Sequence, residues 1–162
     1  MLKTAHDLLA LLKYTTPLLI NLTEPEVSIR PAPNKWSKKE IIGHLIDSAC
    51  NNQQKFVRTL NSTSGHLDFV GYAQDNWVSI QNYQESDWIQ LIDLWSAYNV
   101  HIAHIMANAP VLKLKNTMTI EGVGPFTLDF IMPDYLEHLK HHLRAILPNA
   151  EIESTFSNVY NA

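Results

Sequence analysis

Cysteine is almost missing from this chain: Cys50 stands alone among 162 residues. A single thiol forms no intramolecular disulfide and excludes a cysteine-built zinc site. Runs of like charge are missing too, and the formal net charge is only -4, with a pI near 6.0. The electrostatic footprint of a nucleic-acid binder is therefore lacking. No stretch approaches the roughly 18 consecutive apolar residues that would span a bilayer. The opening M-L-K-T-A-H-D lacks a basic region followed by a long apolar run, so a cytoplasmic, soluble protein is expected. At 46% hydrophobic, the chain suits one compact domain over residues 1–162 that buries roughly 70% of its unfolded surface.

What is present is helical periodicity. Between about Thr4 and Asn21, Leu8, Leu9, Leu11, Leu12, Leu18 and Leu19 recur at helical spacing, predicting a first helix that Pro17 kinks or shortens. From Thr23 to Lys35, with Pro25, Pro31 and Pro33, the chain reads as an extended connection. Ser37 and Glu40 spell a capping box with Trp36 and Ile41 as its staple, so a second long helix begins at Ser37. Residues 61–83 show turn formers and the aromatics Phe69, Tyr72, Trp77 and Tyr83 but no period. A connection this long is usually functional or carries short structure of its own. A broad apolar stripe of Trp88, Ile92, Trp95, Ile102 and Met106 predicts a third helix from about Ser86 to Asn108. Alternation between Pro110 and Pro125, with Gly122 and Gly124 as turn residues, predicts a short hairpin or extended excursion. The last helix is capped by Thr127, kinked or begun by Pro133, and ends before Pro148. The polar tail from Asn149 to Ala162 is expected to be loosely held. Four amphipathic helices with little strand make an all-α four-helix bundle the economical architecture, and long connections permit parallel neighbours.

Chemistry gathers on the last helix, in D-Y-L-E-H-L-K-H-H-L-R-A-I-L. His138 and His142 lie four residues apart, stacked on one helical face within reach of a single ion. His44 on the second long helix is the candidate third ligand, sharing a polar face with Asp47, Ser48 and Asn51. Three neutral imidazoles suit zinc, nickel, cobalt or ferrous iron, and a fourth position left to water is the catalytic pattern. His101, in step with Leu94, Tyr98 and Ile105, is an alternative inward ligand; His6 and His66 read as surface residues, and His141 should miss the ion. Asp47 is a candidate acceptor orienting His44 or a bound water, and Arg58 a candidate clamp for an anionic substrate. Asn51, Tyr72, Trp77 and Tyr135 are candidate pocket walls, with packing preferred for Trp77, and Cys50 reads as a small buried side chain. Each also has an ordinary structural role open to it, as a hydrogen-bonded histidine, a surface ion pair or a packing residue.

Three stretches, R-P-A-P-N-K-W-S-K-K-E-I-I-G-H-L-I-D-S-A (Arg30 to Ala49), Y-A-Q-D-N-W-V (Tyr72 to Val78) and Y-L-E-H-L-K-H-H-L-R-A-I (Tyr135 to Ile146), resemble in order the DinB-like superfamily and its metal-dependent hydrolase branch. The resemblance implies a bundle in up-down-down-up order, often a homodimer, with a divalent ion held by three histidines that fall on His44, His138 and His142. Zinc or nickel is the expected ion. Relatives include thiol-dependent S-transferases. The implied function is thus a metal-dependent transferase or hydrolase on a small-molecule substrate, with a low-molecular-weight thiol as co-substrate in the transferase case. A non-catalytic metal-binding or stress-response module is the alternative.

Overall fold

The computed structural model describes residues 1–159. In chain order it has α1 (Leu2–Ile20), α2 (Glu24–Ser28), α3 (Lys38–Asn61), β1 (His66–Phe69), α4 (Gln74–Gln81), α5 (Trp88–Asn108), β2 (Thr117–Ile120), β3 (Val123–Thr127) and α6 (Leu128–Ile146), with short 3-10 turns at Tyr83–Glu85 and Val111–Lys115. The long helices α1, α3, α5 and α6 form the bundle. Both α1 and α3 pack against α5 and α6.

Hydrogen bonds at the helix ends fix the directions. Trp88 Nε1 donates to Leu19 O, placing the end of α1 beside the start of α5. Asn116 Nδ2 donates to Thr59 O and Lys113 Nζ to Ser62 O, so α3 and α5 finish at the same end and run parallel. Leu128 N bonds Asn116 O, so α6 starts where they finish. The order is up, down, down, up.

Between the parallel helices the chain must travel the length of the bundle, and residues 62–87 do so through β1, α4 and a 3-10 turn. The expected hairpin is β2–β3, with Ile120 opposite Val123. Its two-residue turn puts Glu121 (φ 51) and Gly122 (φ 81) in the left-handed region, the geometry that suits a tight hairpin. β1 joins β2 in parallel register, giving the sheet order β1-β2-β3.

The interior is apolar and continuous. Leu8, Leu19, Ile42, Leu45, Phe56, Ile92, Trp95 and Ile102 are fully buried, each worth about 1.5–3 kcal/mol of transfer free energy for an ordinary large side chain. No helix among the described residues is long and apolar enough to cross a membrane.

Three local expectations are revised. The connection after α1 is not wholly extended: Thr23 N donates to Glu26 Oε2 at 2.7 Å, starting the single-turn helix α2. Pro17 and Pro133 both lie inside their helices, which excludes an early end at the first and a helix start at the second and leaves the kink as the reading open to each. The tail, expected to be loosely held, is tied to α6 by Ser154 Oγ on Glu137 O (3.0 Å) and Thr155 N on the Glu137 carboxylate (2.7 Å). Its last three residues lie outside the described residues.

Candidate metal centre

The start of α3 is fixed by a capping box and two ion pairs, and it aims His44. Ser37 Oγ accepts from Glu40 N while Ser37 N donates to Glu40 Oε2 at 2.8 Å, closing the capping box. Arg30 Nε adds a second bond to that carboxylate at 2.8 Å, and buried Lys39 reaches Glu24 Oε1 at 2.5 Å, tying α2 to α3. One turn beyond Glu40, His44 is completely buried, with Trp36 4.9 Å from it, ring to ring.

On α6, His138 and His142 stack one turn apart and meet His44 across the bundle. His138 Nε2 is 3.1 Å from His142 Nε2 and 3.4 Å from His44 Nε2. All three ligand nitrogens lie within 4.8 Å of one another. Bonds of about 2.0–2.1 Å in a tetrahedral shell would set nitrogens roughly 3.3 Å apart, so two of the three separations already match one ion. Small side-chain rotations would close the third. His44 Nδ1 is buried with no hydrogen-bond partner among the described residues, so no hydrogen bond there dictates which ring nitrogen carries the proton. A cation on Nε2 would settle it, and the donor set fits one.

Electrostatics favour lone pairs over protons here. Burial brings the His44 pKa down to about 4 against the opposing charge of Asp75. Burial, then the neighbouring His44 and His141, bring His142 to about 3. His138 is held well below its ordinary value, by burial first and then by the adjacent histidines. Unfolded imidazoles protonate near pH 6.5, so below that pH the unfolded chain binds more protons and stability falls as pH falls. The metal-free protein is therefore expected to weaken between pH 6.5 and 4, by at most about 1.4 kcal/mol per pH unit for each buried histidine. Thermal melts of chelator-treated protein at pH 7.5, 6 and 4.5 measure this, and the slope should be shallower in His44→Ala. Identical slopes would remove these rings as its cause.

The cluster sits where two cavities meet. One, of about 470 Å³, is lined by Ser48, Asn52, Lys55, Tyr135, His138 and His142 among others. The other, of about 760 Å³, also reaches His142, past Trp36, Ile41 and Asp75. Phe156 from the tail lies 5.2 Å from the His138 ring and 5.4 Å from that of His141, shielding the outer side.

The other sequence candidates fall as follows. Asp47 does not bond His44: its Oδ1 accepts from Tyr83 Oη (2.7 Å) and Gln81 Nε2, while its Oδ2 is buried without a hydrogen-bond partner among the described residues. Arg58 is exposed, with its guanidinium 5.0 Å over the Phe69 ring, about 21 Å from His44 along α3. It faces no cavity of the site. Tyr72 and Tyr135 line the smaller cavity, and Tyr135 Oη also donates to Asn99 Oδ1 at 2.6 Å. Asn51 donates back to Asp47 O, and its neighbour Asn52 takes the place in the wall. Trp77 packs against Tyr72 at 5.0 Å. His101 is exposed and stands outside the three-histidine group, and Cys50 is exposed too, contrary to the reading of a buried thiol. His6 is exposed; His66 is half-buried and bonds Thr117 across the β1–β2 pair. His141 stands outside the three-histidine group.

Three residues at the site were not among the candidates. Lys55 follows His44 by eleven residues, three helical turns, a spacing that could have flagged it. Asp75 lies within the Y-A-Q-D-N-W-V stretch but carries no periodic signal. Phe156 depends on the tail folding back, which its polar composition does not announce.

The family model described as the DinB superfamily matches residues 8–146 of the chain. The chain is 23% identical over 139 residues to the "Putative metal-dependent hydrolase BH0277" of Halalkalibacterium halodurans, a match covering 80% of this chain and 74% of that protein. YfiT from Bacillus subtilis, described as a probable metal-dependent hydrolase with an unusual four-helix bundle topology, aligns in structure with a TM-score of 0.74 at 16% identity, over 91% of this chain and 82% of that one. At such identity the second likeness is one of fold.

Proposed function

The chain belongs to the DinB superfamily, and from that premise we propose that His44, His138 and His142 hold one divalent ion, zinc or nickel, at an enzyme centre acting on a small molecule. The observation that carries this reading is the convergence of three imidazole nitrogens beside a cavity that His138 and His142 line, with no fourth ligand in the cluster among the described residues. Three protein ligands leave a position open to substrate, as in catalytic rather than structural sites. An ion held by these histidines would supply Lewis acidity, the chemistry that lowers the pKa of a water or thiol toward neutrality.

The chain's own groups set the conditions. Burial keeps the three imidazoles neutral and ready to donate lone pairs. Trp36 and Phe156 limit the access of water on either side of the cluster. Asp75 places a carboxylate in the wall of the larger cavity, near enough to act on His44, where it can take a proton from an arriving nucleophile.

Hydrolysis is the first form of this reading, in keeping with the names of the relatives. Transfer to a low-molecular-weight thiol is the second, and one observation favours it: two cavities open onto His142, as a two-substrate reaction needs. The test is a panel of esters, amides and electrophiles offered to zinc-loaded, nickel-loaded and chelator-stripped protein, with and without small thiols. Metal-dependent turnover, lost in His142→Ala, is the expected result, and a requirement for thiol selects the transferase. Tight metal binding with no turnover anywhere on the panel would leave a non-catalytic metal-binding module.

A further inference from the structure

Lys55 is a charged group in the cavity wall that the chemistry above leaves unused. It shares the α3 face of His44, three turns along, and so stands about 16 Å from it in axial distance. The lysine is only 8% exposed, and it lines the same cavity as His138 and His142. None of the ion pairs among the described residues includes it. Glu121 acts on it only at a distance. A buried ammonium without a carboxylate in contact is costly to the fold, and on a helix its stem leans toward the N-terminus, here toward the histidines.

We propose that Lys55 is the anion-binding end of the cavity, and that the substrate is a small molecule carrying a carboxylate there and its reacting group at the three histidines. This deepens the function proposed above and depends on it only at the histidine end. The charge balance selects a monoanion. One ammonium neutralises one carboxylate, whereas a dianionic phosphate would leave a negative charge uncompensated in a cavity wall that holds no second buried cation among the described residues. Ile120, Ile131 and Tyr135 supply apolar wall between the two ends, suited to a hydrocarbon or aromatic body. Burial lowers the ammonium's pKa against the field of Glu121, the direction that a bound carboxylate would reverse.

The test uses phenylbutyrate and its uncharged amide as matched probes, with binding followed by saturation-transfer NMR on metal-free protein. The acid is expected to bind roughly tenfold or more tightly than the amide, the worth of one charged hydrogen bond. Lys55→Met should erase that preference and leave the amide unchanged, and Lys55→Arg should keep it. Because Lys55→Met also removes a buried charge, it should melt no lower than wild type, which separates lost recognition from lost folding. Equal binding of acid and amide, no binding of the acid at millimolar concentration, or an unchanged preference in Lys55→Met would each overturn the proposal. The acid-against-amide comparison in wild type needs no variant at all. Metal content measured on the same samples separates the two ideas: a failed histidine site leaves the acid preference in place, whereas a failed Lys55 site leaves the metal in place.

Discussion

A His44→Ala chain is expected to carry no stoichiometric zinc or nickel, where the wild-type chain carries about one ion. Losing a hydrogen-bonded partner behind a metal ligand alone costs about 10- to 100-fold in affinity. Losing one of three ligands must cost more. The same change appears in melting. An ion present at about 1,000 times its Kd stabilises by about 4 kcal/mol, which for a domain of this size raises Tm by roughly 8–16 °C. In His44→Ala that rise should vanish. The metal-free variant should itself differ little from metal-free wild type, because two effects oppose each other. Truncation opens space in a fully buried position, yet it also removes Nδ1, a buried polar atom with no partner among the described residues. Elemental analysis of untagged protein, with melts before and after adding zinc, measures both quantities. A wild-type chain that takes up no metal after reconstitution, or a variant that retains it, would sink the three-histidine site.

Gly43→Ala should destabilise the fold by about 3 kcal/mol, lowering Tm by roughly 6–12 °C. In the middle of a helix this exchange ordinarily gains about 1 kcal/mol. Here the new Cβ would stand 2.0 Å from Cδ2 and 2.2 Å from Cγ of Tyr83, inside the ring's van der Waals surface. The ring is buried and its hydroxyl donates to Asp47 at 2.7 Å, so it cannot swing away freely. Overpacking costs about 1–3 kcal/mol, and a buried carboxylate deprived of its donor about 1–3 kcal/mol more. Together they outweigh the helical gain. Thermal or urea unfolding decides the matter, and Tyr83→Ala in the same chain should recover part of the loss. A variant as stable as wild type would show that Tyr83 does not need the space that glycine leaves.

The long helices were legible because their apolar spacing and caps are local signals: Ser37 and Glu40 announce α3, and the leucines of α1 announce its buried face. The hairpin showed in its alternation and its Gly122 turn. What local pattern does not carry is partnership between distant segments. β1 became a strand only because Thr117 to Ile120 lie beside it, and Glu24 to Ser28 became a helix because Thr23 and Glu26 close a capping box and Pro25 stands in the first turn, where proline is tolerated. The histidines at the site show the same division. His138 and His142 are evident from spacing, whereas His44 was marked only by its mixed polar face and by the resemblance until the packing of α3 against α6 placed its Nε2 3.4 Å from that of His138. Arg58 and Lys55 both follow the face of His44, and the sequence could not tell which one the cavity reaches.

The parallel course of α3 and α5 has a consequence for the order of events on the ribosome. His44 and His138 are 94 residues apart, and at about 5–20 residues per second the first is made roughly 5–20 s before the second. Through that interval α3 and α5 can align and the crossover can settle, but no pair of imidazoles yet faces a third. An ion therefore cannot seed this architecture. It can only latch a bundle whose final helix has already arrived, so metal loading would report on finished chains and pass over nascent ones.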